Sequence, residues 1–328
     1  MLAENVLIDA NGISCANDAP AGRATIYAYK STGGSIWLAK GNFGNQGTLT
    51  VGWAEYVSLA TFAANTIIFT NTDVTTHQIE LIIADTAGHL ALKLNGSAVI
   101  AGSTSTLTLP GTGWHYYEIS IVLSTATAGS VTVKVDGTTY ISVSSIKTSG
   151  TANSYSNRFY LQPIVPNTNT WYRDLYWRGD GTFLGDLTVN VLYAASNGPT
   201  QNFAASAGAA YACVQDGITH TGTWPNDSDY IFDSTSADIS DFHFQSITLP
   251  GGGSILGVIH ATRWSKDDVG ARSAMQYTKS SSTVHTGATV VLGSSPGYVF
   301  DVMETDPATS AAWAASAVNA STHGVKNA

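Results

Sequence analysis

The chain has 328 residues, a formal net charge of −9 and only 11% charged residues. It shows no cluster of Lys and Arg able to neutralise phosphates, since Arg263 and Lys266, the densest basic spot, run straight into Asp267 and Asp268. No apolar run approaches the ~20 residues that span a bilayer, so the sequence argues against both a nucleic-acid partner and membrane insertion. Eight Trp and 32 Gly accompany abundant Thr, Ser and Ala, which favours β-rich architecture with many turns over helices. The hydroxyl-rich, weakly charged surface this implies suits proteins that pack into assemblies or meet neutral polar ligands such as glycans.

The opening Met1 to Asp9 carries an acid where an export signal needs a basic region, so synthesis without export is expected. Short β-rich runs follow at Val6–Ile8, 25–29, 35–39, 48–51 and 66–70, separated by Gly, Asn and Pro, at a spacing that suits a sandwich. Residues 41–47 are Gly-rich but lack the Gly-Lys-Ser/Thr ending of a phosphate loop and read as a hairpin loop; residues 54–64 are the place for a helical turn.

Between His77 and Gly137 one antiparallel hairpin is written twice. Each copy is an alternating run, a Gly-bearing turn and a second alternating run, closed by Asn95-Gly96 in one copy and Asp136-Gly137 in the other, pairs that suit type I′ turns. Leu90, Leu92 and Leu94 share one face, as do Val131, Val133 and Val135, with Lys93 and Lys134 opposite. Glu80 and Glu118 take equivalent places in the two copies. A glycosidase needs two carboxyl groups across one bond, but nothing acidic lies between Glu80 and Asp85, and the pair reads as solvent-facing strand positions.

Residues 144–157 are polar and read as an exposed loop. Residues 170–178 form the most aromatic strand: alternation sets Trp171, Arg173, Leu175 and Trp177 on one face and Tyr172, Asp174, Tyr176 and Arg178 on the other. One face must be core; the other offers rings that stack on sugars, making Trp171, Tyr172, Tyr176 and Trp177 the glycan-contact candidates. Residues 182–192 read as a further strand. The small, polar stretch after Ala194 marks a boundary, placing a first domain at 1–195, a linker at 196–208 and a second domain at 209–328.

In the second domain, Asp227 and Asp229 are alternating oxygen ligands of the kind Ca²⁺ takes, but the central Gly and bidentate Glu of a full loop are missing, and no metal or other cofactor is expected. Strands are expected near 242–244, 255–264, 271–277, 289–292 and 298–304; His243 and His260 could converge on neighbouring ones but read as separate structural or solvated strand histidines. A short Ala-rich helix follows, capped by Asp306 or Thr309 and pinned by Trp313. Cys15 and Cys213 read as buried free thiols. No nucleophile elbow, zinc helix or dinucleotide fingerprint appears, leaving an enzyme without support.

The order of these features, two hairpins with Trp114 ahead of Glu118, an aromatic Asp174-Leu-Tyr strand, then Phe183-Leu-Gly-Asp, resembles laminin-G-like, concanavalin-type jelly rolls of tailed-bacteriophage structural proteins. The ending Asp306-Pro-Ala-Thr309 to Trp313, followed by Gly324-Val-Lys, is similar to the C-terminus of the same proteins. Arg173 departs from the pattern where a second acid belongs, against a calcium site of laminin-G type. The resemblance implies an all-β protein, a jelly-roll sandwich followed by a smaller β-sandwich with a short C-terminal helix. It also implies a non-enzymatic virion component, in tail or fibre or else decorating the capsid, assembling by packing against copies of itself and other virion proteins; the competing reading, from exposed Trp or Tyr on one sandwich face, is a glycan-binding module that attaches the particle to host or environmental polysaccharide.

Overall fold

The computed structural model describes residues 6–8, 13–16, 28–32, 38–58, 61–164, 169–215, 228–249 and 253–328. The chain is almost entirely antiparallel β-structure and divides into two compact units, Met1–Asn190 and Val191–Ala328. The division falls a few residues ahead of the expected one.

The first unit runs β1 (Val6–Ile8), β2 (Ile13–Ala16), β3 (Ala28–Thr32), β4 (Leu38–Gln46), β5 (Thr48–Val57), β6 (Thr66–Asp73), β7 (Thr76–Ile83), β8 (Leu90–Leu94), β9 (Gly113–Val122), β10 (Gly129–Val135), β11 (Thr138–Ile146), β12 (Ser156–Leu161) and β13 (Asn169–Arg178). One sheet has the order β1-β4-β12-β6-β7-β8 and the other β11-β10-β9-β5-β13-β3-β2, making a jelly-roll β-sandwich. The doubled hairpin supplies one ribbon to each sheet: β7–β8 to the six-stranded sheet and β9–β10 to the seven-stranded one. Asn95-Gly96 and Asp136-Gly137 all have positive φ, as type I′ turns require.

Between the sheets lies one apolar core, in which Leu49, Val51, Trp53, Ile79, Leu81, Leu90, Leu92, Ile119, Val131 and Val133 are fully buried. Period-two alternation in β5, β7, β8, β9 and β10 puts them there. One carboxyl group joins them: Glu55 accepts the Ile164 N–H (2.8 Å) and the Trp53 indole N–H (3.3 Å), and burial pushes its pKa up to about 8.

Four local expectations are corrected. Residues 41–46 are not a loop but the end of β4, with Gly47 alone making the turn into β5. β5 continues to Val57, where a helical turn was expected. The polar stretch 144–157 is not simply exposed: Thr148, Ser149 and Ser156 are buried. Its chain packs on the Gln78 side chain, which donates to Thr151 and accepts from Ser149 and Gly150. Residues 182–190 form no strand and lie over the seven-stranded sheet.

The second unit runs β14 (Ala194–Gln201), β15 (Ala204–Ala205), α1 (Ala210–Cys213), β16 (Ile231–Phe232), β17 (Ile239–Phe244), β18 (Val258–Trp264), β19 (Ser273–Ser280), β20 (Thr283–Thr286), β21 (Val290–Val291), β22 (Gly297–Met303), α2 (Ala315–Ala320) and β23 (Thr322–Asn327). Its main sheet has the order β14-β17-β23-β19-β20, with β21 also on β19; β15–β16 and β18–β22 are separate ribbons. The expected linker is therefore largely strand, because β14 pairs with β17.

The C-terminal helix is present but starts at Ala315 after an Ala314 cap without a side-chain bond. Asp306 instead closes a turn, its carboxylate accepting the Ala308 N–H at 3.0 Å and its carbonyl the Ser310 N–H at 2.8 Å. Trp313 is pinned as expected, its indole N–H on the Met303 carbonyl at 3.0 Å. The residues after the helix form β23, the central strand of the main sheet.

The core of this unit is partly polar. His323 is buried between Thr278 Oγ1 (3.0 Å) and Ser321 Oγ (2.9 Å), and the buried His260 ring stands 5.4 Å from it. His260 thus meets His323, not His243, which is exposed on β17. Cys213 is buried and free, with its thiol on the Ala207 carbonyl.

Candidate functional site

The register of the seven-stranded sheet sets out its outer face row by row. Trp114 of β9 lies opposite Tyr56 of β5, Tyr116 opposite Ala54, Glu118 opposite Gly52 and Ser120 opposite Thr50. On the other side of β5, Ala54 meets Arg173 of β13, Gly52 meets Tyr176 and Thr50 meets Arg178. Directly opposed residues share a face, so the rows continue across three strands.

Alternation in β13 breaks in the middle. Asp174 takes φ +51° and the register with β5 slips between Arg173 and Tyr176, a β-bulge. Tyr172 points inward before the bulge, and Leu175 and Trp177 point inward after it. The expected split into Trp171/Arg173/Leu175/Trp177 and Tyr172/Asp174/Tyr176/Arg178 is therefore corrected. Of the four glycan candidates, Tyr172 and Trp177 belong to the inter-sheet core. Tyr176 is outward but fully covered, because its ring lies over Gly52, where a Cβ would stand 2.1 Å away. Trp171 alone remains half-exposed.

Trp171 has company that the sequence reading did not assign. Its ring meets the edge of Tyr56 at 5.7 Å, and Tyr56 meets Trp114 at 5.6 Å, both in T-shaped contacts. All three are half-buried. The Arg173 guanidinium lies 5.8 Å from the Trp114 ring. The result is a rigid row of three aromatic rings across adjacent strands, with a cation at one side.

The other end of the same face is occupied by the chain itself. Leu184 and Leu187 pack on Ala54, Tyr116 and Tyr176. The backbone of this segment is held by side chains of the sheet: Leu184 N–H donates to Tyr176 Oη (3.1 Å), Gly185 N–H to Glu118 Oε1 (2.9 Å) and Val189 N–H to Asp174 Oδ1 (2.9 Å). Tyr176 in turn donates to Glu118 at 2.5 Å. Burial and then this bond hold the Tyr176 hydroxyl well above the usual phenol range. At the turn, Arg178 clasps Asp180 through Nε and Nη2, keeping that carboxyl well below its ordinary pKa. Glu118 is therefore a structural acceptor.

Glu80 sits in the six-stranded sheet, opposite Lys93 and Thr70, and takes a 2.7 Å contact from His77 Nδ1. Both glutamates are buried, at 3% and 2% exposure, not solvent-facing, and they belong to different sheets. They do not face one bond.

No family model matches the chain, and no curated protein matches it. Among solved structures, the cellulose-induced protein Cip1 is similar over 55% of this chain and 94% of its own, with 13% identity and a TM-score of 0.42. An endo-β-1,4-glucuronan lyase from the fungus Trichoderma reesei is similar over 53% of this chain and 90% of its own, with 14% identity and a TM-score of 0.40. Domain 4 of AbnA, an extracellular arabinanase from Geobacillus stearothermophilus solved with arabinotriose, is similar over 52% and 76%, at 18% identity and a TM-score of 0.36.

Asp227 lies outside the described residues, and Asp229 is half-buried just ahead of β16. Among the described residues, no group of three or more His, Cys, Asp or Glu is gathered as metal ligands.

Proposed function

We propose that the protein is a non-catalytic polysaccharide-recognition component of a tailed-bacteriophage virion, binding sugar through the Tyr56–Trp114–Trp171 row. The observation that carries the recognition half is that row: three half-exposed rings, fixed against each other on a sheet, present apolar faces at little entropic cost, and the C–H faces of pyranose rings stack on such surfaces. The buried Arg173 guanidinium, 5.8 Å from the Trp114 ring, helps to fix that ring in place. The virion half is supported by the sequence order of motifs from Trp114 to Asp186 and by the Asp306 to Trp313 ending, with a tail or fibre place preferred to capsid decoration.

A glycan array probed with the whole protein tests the first half, with binding to at least one polysaccharide class expected and none, from a folded sample, counting against it. Co-sedimentation with particles tests the second; a protein that never travels with virions does not belong to them.

A further inference from the structure

A groove of about 430 Å³ opens on the second unit, bordered by Asn197, His243, Lys279, Ser281 and Thr322. Its floor follows from register: His243 of β17 lies opposite Thr322 of β23, and Thr322 lies opposite Lys279 of β19. Opposed residues share a face, so an imidazole, a hydroxyl and an ammonium stem stand in one row, His243 and Lys279 roughly 10 Å apart at the backbone, two strand spacings. Ser281 of the turn after β19 adds a hydroxyl, and Asn197 of β14 borders the groove with its Oδ1 already accepting the Tyr211 N–H at 2.9 Å, leaving only its amide N–H to offer.

The carboxylate nearest this row is already committed. Asp241, fully buried, accepts the Thr322 hydroxyl at 2.8 Å and the Thr200 N–H at 2.9 Å. The Thr322 oxygen therefore gives its proton inward and offers lone pairs to the groove. His243 is distinctive among the described histidines at the surface. His77, His89, His115 and His285 each face a carboxylate oxygen within 2.8 Å. Neither His243 nor Lys279 has a hydrogen-bonded or ionic partner among the described residues. In a chain of net charge −9, an ammonium and an imidazole without a carboxylate partner, set beside hydroxyl groups, describe a ligand that is anionic and rich in hydroxyls.

We infer that this groove binds an acidic sugar unit, its carboxylate or sulfate between Lys279 and His243 and its hydroxyls on Asn197, Ser281 and Thr322. The site lies on the other unit from the aromatic row and reads charge where that row reads ring faces, so each can fail without the other.

Calorimetric titration of the full chain separates them, using trigalacturonate, a sulfated galactose trisaccharide, uncharged maltotriose and inorganic sulfate as probes. At least one acidic trisaccharide should bind, more weakly as salt rises, and Lys279→Gln and His243→Gln should each weaken it at least tenfold while Trp171→Ala leaves it unchanged. Maltotriose and inorganic sulfate should each bind at least tenfold more weakly than that trisaccharide. The inference is overturned if neither acidic trisaccharide binds, if both groove variants bind it like the parent while melting normally, or if inorganic sulfate binds as tightly as the sugar. Loss of acidic-sugar binding in Trp171→Ala alone would assign it to the aromatic row instead.

Discussion

The two units solve the same problem of closing a β-sheet core with opposite kinds of polar guest. The first surrounds the Glu55 carboxyl group with a large apolar core between its sheets. The second, whose apolar clusters are small, packs the neutral imidazoles of His260 and His323 inside. Burial disfavours the charged form in both, but for an acid that means holding the proton and for an imidazole losing it. One molecule thus carries an alkaline weakness in one half and an acid weakness in the other.

The largest expected effect follows from Glu55. Its pKa is raised from 4.5 to about 8 in the folded state, so its contribution is intact below pH 4.5 and is lost as pH rises through 8, at about 1.4 kcal/mol per unit and roughly 5 kcal/mol in all. Calorimetry between pH 5 and 9 should show the first unit's transition fall with pH in the parent and stay nearly level in Glu55→Gln. A parallel fall in both proteins would place the alkaline weakness elsewhere.

The second unit should move the other way. Burial pushes the His323 pKa from 6.5 down to about 4, so stability is full above pH 6.5 and drains as pH falls to 4, by about 3 kcal/mol. His260, lowered by burial and by the neighbouring His323 and His285, adds to the loss. Amide protection factors, which divide out the slower intrinsic exchange in acid, should be lower at pH 5 than at pH 7.5 in β17, β19 and β23 while those of β5 and β9 are kept. Equal protection at both pH values would contradict the imidazole account.

A smaller contrast concerns two glycines. A Cβ on Gly324 would stand 1.9 Å from the Ser240 carbonyl, so strands β17 and β23 must part. On Gly52 it would meet only the Tyr176 ring, which can turn away at the cost of its Glu118 bond. Gly324→Ala should lower stability by about 3 kcal/mol and Gly52→Ala by about 2. Denaturant unfolding of the two variants gives the order, and the reverse order would mean that the Tyr176–Glu118 bond matters more than the strand spacing.

Where alternation runs unbroken, the fold was legible in the residues. Val131, Val133 and Val135 fill the core as their spacing requires, and both X-Gly pairs make the turns they suit. The aromatic strand was misread because Asp174 inserts a bulge that no local pattern announces, an acid being tolerated at positive φ. Residues 182–190 have a strand's alternation, yet three of their N–H groups are taken by side chains, those of Tyr176 and Asp174 on the preceding strand and of Glu118 on the distant β9, in place of a strand ladder. Trp171 was recognisable as a candidate, but its partners Tyr56 and Trp114 come from strands far apart in sequence, and only register brings the three together.

The row formed by those three rings is also the most direct point of test. Electrophoretic retardation in polysaccharide-containing gels should slow the parent protein. Trp171→Ala and Trp114→Ala, which remove half-exposed rings, should each relieve most of that retardation, about a tenfold loss of affinity, with melting close to the parent's. If both variants are retarded as strongly as the parent in every polysaccharide that slows it, the outer face of the seven-stranded sheet is not where this protein meets sugar.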